Sequence, residues 1–272
     1  LPRSSAMRSK RWRRRPRLVF TWHDSGSVVG GRGPRRALTR WALRRCDALY
    51  GSSGDVAKRL GSEVGGVPPG VFINGAPTHP RTGAFGEALP RVLWMGRLVP
   101  VKDPEAMLRA LAGLGGDMAF EAVLAGSALP HGAEFERQCR ALCEALGLQG
   151  RVSMPGWVDD TPALLARANI GVQSSRSEGL SIALLEMMMA GLAIVATDVG
   201  DTHRAIEDGV TGLLVPPGDT PALTAALARV AGDPDLRRRL GEAARQRALA
   251  EFSLDAMAAR AVGAYRDAGA SV

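Results

Sequence analysis

Apolar residues along this chain fall into short blocks that switch between two periods. From Arg91 onward, brief apolar-rich runs at 92–95, 119–125, 170–173 and 193–196 predict buried strands. Between them lie segments apolar at helical spacing. Asp103-Pro104-Glu105 supplies an N-cap, a proline at the first helical position and an acid in the first turn of a helix running to Leu114. Gly147 and Gly191 stop helices over 134–146 and 181–190. A strand at 151–154, a short helix at 162–167 and a strand at 212–215 complete the alternation. Residues 221–268 read as helical, with Ser253 capping the last helix. Strands separated by helices in this way form parallel βαβ units, so the fold class is α/β with Rossmann-type doubly wound parallel sheets.

The first ninety residues carry a smaller version of the pattern, with strands at 18–21, 48–50 and 71–73 and helices at 35–45 and 56–60. In the first helix, Leu38, Trp41 and Ala42 at helical spacing among Arg35, Arg36, Arg40, Arg44 and Arg45 suit a core-facing stripe with a basic outer face, or equally a face resting on anionic lipid. The division is a partial Rossmann-like domain over 1–80, a linker over 81–90, a second domain over 91–252, and a final helix over 253–272 packing back on the first domain. The chain opens on Leu1 rather than Met and reaches its first strand after a basic lead-in, which reads as a fragment with a truncated first domain.

Charge changes the picture in that first part. The net charge of +8 over 272 residues is uneven, since residues 1–60 hold sixteen Lys and Arg against three Asp. Such a run suits an anionic lipid surface, a nucleic-acid arm or a solvated face. No aromatic stacking platform accompanies it, which argues against single-stranded nucleic acid. The basic lead-in is followed by only Leu18, Val19 and Phe20 before polar residues, too short for a secretory signal, and no apolar run reaches membrane-span length. Three sparse cysteines make no disulfide framework and point to a reducing, cytoplasmic setting. Cys139 and Cys143, four apart, read as small apolar residues on one helix face.

Two loops carry candidate chemistry. Gly96-Arg97-Leu98-Val99-Pro100-Val101-Lys102 follows a strand, where an open α/β sheet binds its ligands. Arg97 can grip phosphate oxygens bidentately and Lys102 adds a point charge near a helix start, although a surface loop has such residues too. Ser177-Glu178-Gly179-Leu180-Ser181 follows another strand and opens a helix. Gly179 lets a ligand approach the backbone, and the amides of Leu180 and Ser181 would face an anion. Glu186 lies about two turns on, near the face of Glu178, so both carboxylates can accept bonds from sugar hydroxyls.

These residues carry a resemblance. Glu178 and Glu186 with seven residues between them, together with Gly96-Arg97-Leu98 and Lys102, resemble the signature of the retaining glycosyltransferase family four, the group 1 glycosyltransferases of GT-B fold. Gly126, Pro155-Gly156-Trp157, Ala190-Gly191 and the stretch from Glu207 to Pro216 match as well, and the likeness runs from about Arg17 to Ala268. It implies a complete C-terminal donor domain and transfer of a hexosyl unit from a nucleotide diphosphate sugar to a lipid-linked, polysaccharide or small-molecule acceptor. Arg97 and Lys102 would bind the diphosphate and stabilise the leaving group without metal or cofactor. Glu178 would contact the transferred sugar and Glu186 the ribose. Gly179, Leu180 and Ser181 would give backbone contacts, with Gly96 and Gly126 also at the donor and Trp157 and Val158 at the base. Thr21-Trp22-His23-Asp24 is similar to the family's strand-end histidine motif, placing His23 across the cleft from the sugar. The enzyme would be cytoplasmic, peripheral at the inner membrane face.

Departures from the family are also visible. Its first domain begins with a strand and a Gly-rich loop that do not occur here. Gly30-Gly31-Arg32-Gly33 lacks the third glycine of a dinucleotide fingerprint and reads as a loop. Asp233-Pro234-Asp235 imitates a metal motif but lies between helices, as a turn and cap. Rivals on the same fold are an epimerase and a phosphorylase. A phosphorylase would need a pyridoxal-holding lysine in the second domain, where Lys102 is the sole one. A non-catalytic nucleotide-sugar-binding fragment is the reading from another class.

Overall fold

The computed structural model describes residues 17–23, 29–30, 33–66, 69–81, 89–116, 118–128 and 132–269. The lead-in at 1–16, Asp24, Gly31, Arg32 and most of the expected 81–90 linker lie outside the described residues. The first lobe contains β1 (Val19–Trp22), α1 (Pro34–Leu43), β2 (Ala48–Gly51), α2 (Gly54–Val64) and β3 (Gly70–Val71). Its three strands pair in parallel in the order β1-β2-β3. Helix α2 starts at Gly54, two residues before the expected start, because the Ser53 hydroxyl accepts the Val56 amide at 3.2 Å as an N-cap.

The second lobe begins with β4 (Arg91–Met95), α3 (Pro104–Ala112), β5 (Glu121–Ala125), α4 (Ala133–Ala145), β6 (Val152–Gly156) and α5 (Thr161–Arg167). It continues with β7 (Ile170–Gln173), α6 (Ile182–Ala190), β8 (Ala193–Thr197), α7 (Thr202–Ala205) and β9 (Leu213–Val215). Helices α8 (Thr220–Gly232), α9 (Pro234–Glu251) and α10 (Leu254–Asp267) close the chain. The expected alternation is present, and α7 and a 3-10 turn at Pro100–Lys102 add to it. All six strands are parallel, in the order β6-β5-β4-β7-β8-β9. The chain therefore winds outward from β4 to one edge and returns to wind from β7 to the other. The loops after β4 and β7 diverge and leave a crevice between them.

Two cores flank this sheet. Met107, Leu111, Cys139, Cys143, Leu223 and Leu240 pack on one face. Leu184, Leu185, Met188, Ala244 and Phe252 pack on the other. Helix α6 is buried on nearly every side from Leu184 on, and Gly191 ends it in the left-handed conformation at φ 83°. Asp233 accepts the Leu236 amide at 2.9 Å, so the Asp233-Pro234-Asp235 stretch is a helix cap. After α9 the chain crosses back to the first lobe. The Gly75 amide lies 3.2 Å from the Met257 sulfur, and Arg260 donates to the Ile73 carbonyl at 3.2 Å.

Helix α1 departs from the core-facing alternative. Leu38 is 64% exposed and Trp41 54%, and Ala42 is exposed as well, so the apolar stripe faces outward. Arg40 and Arg44 set this orientation. Their Nε atoms donate to the carbonyls of Glu63 and Val64 at 2.7 and 2.8 Å, the last turn of α2. Positions 40, 43 and 44 share a helix face, so Leu43 is the buried residue and 38, 41 and 45 turn away.

Candidate functional site

The two divergent loops meet the first lobe around a cavity of about 520 Å³. The second lobe lines it with Arg97, Val101, Lys102, Ser177, Glu178 and Gly179, and the first lobe with Trp22, His23 and Val56. Of the expected residues, the fold brings Arg97, Lys102, Glu178, Gly179 and His23 together across seventy to one hundred and sixty positions of sequence.

A hydrogen-bond network fixes the two loops to each other. The buried Trp94 of β4 donates its indole N–H to Ser174 Oγ at 3.0 Å, just past β7. Ser174 Oγ in turn lies 3.0 Å from the Lys102 carbonyl and 2.9 Å from that of Asp103, and its one proton goes to either. Asp103 holds a left-handed backbone at φ 47°. Its carboxylate caps α3 at the Ala106 amide, 3.1 Å away, and pairs with Arg176 at 2.7 Å. Sequence alone flagged Asp103 as a cap and missed Trp94 and Ser174. Their contact joins residues eighty apart and leaves no local trace.

The cations differ in their engagement. Lys102 is ion-paired with Glu178, and both side chains are mostly buried, at 18% and 12% exposure. Ser175 Oγ donates to the same carboxylate at 2.7 Å. Arg97 is exposed at the cavity, and among the described residues it forms no ion pair. The helix start beside them is capped by Ser181, whose hydroxyl accepts the Leu184 amide at 3.4 Å. Leu180 sinks its side chain into the core, and neither Leu180 nor Ser181 is among the residues lining the cavity.

Other expected residues stand apart from this cavity. Glu186 does not line it. Residues 178–181 precede the helix, so helical spacing does not carry the face of Glu178 along to Glu186. The Glu186 carboxylate instead lies 3.9 Å from His79 Nε2. Burial pushes the Glu186 carboxyl above its ordinary range, and burial followed by the nearby Arg245 pushes His79 below its own. Trp157 is exposed and donates its indole N–H to Asp159 at 2.7 Å, with Val158 half-buried beside it.

Glycines at the C-terminal ends of β4, β5 and β6 tie these strand ends together. Gly96 donates to the Ala125 carbonyl at 3.0 Å and Gly126 to the Gly156 carbonyl at 2.8 Å. Gly126 sits at φ 137°, and a Cβ there would lie 1.8 Å from the Gly96 carbonyl oxygen. Gly126→Ala is therefore expected to destabilise the protein by about 1–3 kcal/mol and displace the Gly96-Arg97 loop. Denaturant unfolding checks it, and an unchanged midpoint would show that the strand ends relax freely.

Comparison with known proteins follows the same residues. A family model described as glycosyl transferases group 1 matches residues 77–247. The alpha-D-kanosaminyltransferase of Streptomyces kanamyceticus is 36% identical over 185 residues, 66% of this chain and 46% of that protein. The lipopolysaccharide core biosynthesis mannosyltransferase LpcC of Rhizobium leguminosarum bv. viciae is 33% identical over 241 residues, 84% of this chain and 66% of that protein. The chain thus spans about half to two thirds of the length of these relatives. Among solved structures, Anabaena HepE in complex with UDP-glucose superposes with a TM-score of 0.79 at 20% identity, covering 93% of this chain and 72% of that one. At that identity the likeness is one of fold.

Proposed function

The chain belongs to the group 1 glycosyltransferases, and from that premise we propose that it transfers a hexosyl unit from a nucleoside diphosphate sugar to an acceptor, retaining the anomeric configuration. The observation that carries this reading is the convergence of Arg97, Lys102, Glu178 and Gly179, the last two on the loop that leads into α6, on one cavity opposite His23 of the other lobe. Breaking the bond between sugar and diphosphate leaves negative charge on the departing phosphate. Fixed cations and helix-terminal amides stabilise that charge without reorganising. In this proposal they do so without a metal ion or cofactor. Retention means that the leaving phosphate and the entering hydroxyl share one face of the sugar.

Glu178 holds the transferred sugar, and Glu186 takes the ribose hydroxyls. Gly179, Leu180 and Ser181 present backbone to sugar and phosphate, and Trp157 and Val158 border the base beyond Gly96 and Gly126. HepE holds UDP-glucose in the same fold, which supports a uridine diphosphate sugar as donor. The likeness to a lipopolysaccharide core mannosyltransferase supports an acceptor of the cell envelope, met at the cytoplasmic face of the membrane. Among the described residues no helix is long and apolar enough to cross it, and the outward face of α1 is the surface proposed to rest on anionic lipid.

The division between the two glutamates gives the test. Glu178→Gln is expected to cut donor turnover while UDP affinity stays nearly intact. Glu186→Ala is expected to weaken the whole donor with less effect on turnover once the site is saturated. Calorimetry and release of UDP measure the two quantities separately, and equal effects of both substitutions on both quantities would refute the assignment.

A further inference from the structure

One loop joins the lobes beneath the cavity. Gly200, at φ 54°, packs so closely that a Cβ there would lie 2.2 Å from the Glu178 carbonyl oxygen and 2.6 Å from that of Gly179. The next residue, Asp201, donates its amide to the Gly179 carbonyl at 2.9 Å. Its side chain reaches the other way. The carboxylate, 5% exposed, accepts the Gly54 amide with both oxygens at 2.9 and 3.1 Å, across 147 positions of sequence.

Gly54 is the first residue of α2, where an amide has no acceptor inside its own helix. Ser53 satisfies the Val56 amide, and Asp201 of the opposite lobe satisfies that of Gly54. A carboxylate at this end also meets the positive pole of the helix. Arg204 Nε lies 3.7 Å from the same carboxylate, and Asp55, Arg59, Arg176 and Glu178 line the pocket beside it. Gly179 completes the contact: a Cβ built there would lie 3.5 Å from Ser52 Oγ and 3.7 Å from Ser53 Cβ, so a bare backbone faces the first lobe.

We propose that Asp201 is a positioning residue for the donor site, binding the N-terminus of α2 to the Glu178-Gly179 backbone so that lobe closure and the setting of the donor-binding amides are a single event. The inference deepens the proposed function and rests on its placement of the donor diphosphate at Gly179. Asp201 touches no substrate in this scheme. It acts through Glu178 and Gly179. With Asp201 in place, opening the lobes costs the Gly54 bond and frees the loop that presents Glu178. Without it the two segments move independently.

Hydrogen exchange read by mass spectrometry tests this on the whole chain, on Asp201→Ala and on Asp201→Asn, each with and without UDP. Removing the carboxylate is expected to speed exchange at both 52–58 and 176–181 and to weaken UDP by about 5- to 10-fold, an ordinary size for coupling between sites. Asp201→Asn keeps one carbonyl acceptor for Gly54 and is expected to fall between, and it carries the test if the alanine variant fails to fold. Faster exchange confined to 52–58, with 176–181 and UDP affinity unchanged, would reduce Asp201 to a local helix cap and overturn the proposal. Unchanged exchange at both segments overturns it as well. Wild-type chain that gains no protection from UDP at 176–181 would instead count against the donor-site reading. The coupling between the two segments without UDP still judges Asp201 in that case.

Discussion

Arg97→Ala is expected to weaken UDP binding by about 1.5–3 kcal/mol, the range for hydrogen bonds to charged groups, and to leave the melting temperature where it was. The second half of that expectation follows from its surroundings, since among the described residues Arg97 has no ion pair to lose. Lys102→Ala should differ in kind. Its ammonium faces the Glu178 carboxylate with both side chains mostly buried, and Ser175 Oγ also donates to that carboxylate. Removing the lysine takes away the cation proposed to meet the diphosphate and also leaves a mostly buried carboxylate without its ion pair. Breaking one side of a buried pair costs about 3–5 kcal/mol. The residual exposure of this pair brings it toward the low end of that range. Lys102→Ala should therefore lose both UDP affinity and thermal stability. Combining it with Glu178→Gln should recover part of the stability, a non-additivity of about 0.5–3 kcal/mol. Calorimetry with UDP and thermal unfolding on the two single variants and the double variant measure all of this. Undiminished UDP affinity in Arg97→Ala, or UDP binding that appears only with added Mg²⁺, would remove the fixed-cation account of the site.

The features legible in the sequence are those whose causes are local. Asp103, Asp233 and Ser253 each cap a helix through the amide three residues on, so a cap can be read without knowing what the helix packs against. The strand-end loops holding Arg97 and Glu178 were legible for a similar reason, because βαβ alternation fixes which end of a strand a loop leaves. The order of the strands made those loops neighbours, and that order rests on pairing between β4 and β7, nearly eighty residues apart. Trp94, Ser174 and Asp201 owe their roles to such pairings and were missed. Glu186 shows a different limit. Its spacing from Glu178 suggested one shared helix face, yet the helix begins after Glu178, and the Glu186 carboxylate lies 3.9 Å from His79 Nε2. Spacing predicts a shared face only inside one continuous helix.

Helix α1 shows the same limit from the opposite side, and its orientation has a large measurable consequence. An amphipathic stripe says that one face is apolar and not which face is covered. Arg40 and Arg44 spend their Nε donors on the last carbonyls of α2, which leaves Leu38 and Trp41 outward with Arg35, Arg36 and Arg45. Arg45 lies over the Trp41 ring with its guanidinium carbon 4.0 Å from the centroid. Cations around an exposed indole suit the interface of an anionic membrane, where the ring sits at headgroup level and the basic groups meet lipid phosphate. Each such arginine contributes about 1 kcal/mol near an anionic surface. Replacing Arg35, Arg36 and Arg45 together by alanine should then lower binding to vesicles containing phosphatidylserine by about 3 kcal/mol, roughly a hundredfold. The fold should be untouched, since Arg40, Arg44 and Leu43 keep α1 on α2. Raised salt should release the wild-type chain by screening the same charges. Cosedimentation with anionic and neutral vesicles decides the matter: equal partitioning to the two, or none to either, would make this face ordinary solvated surface.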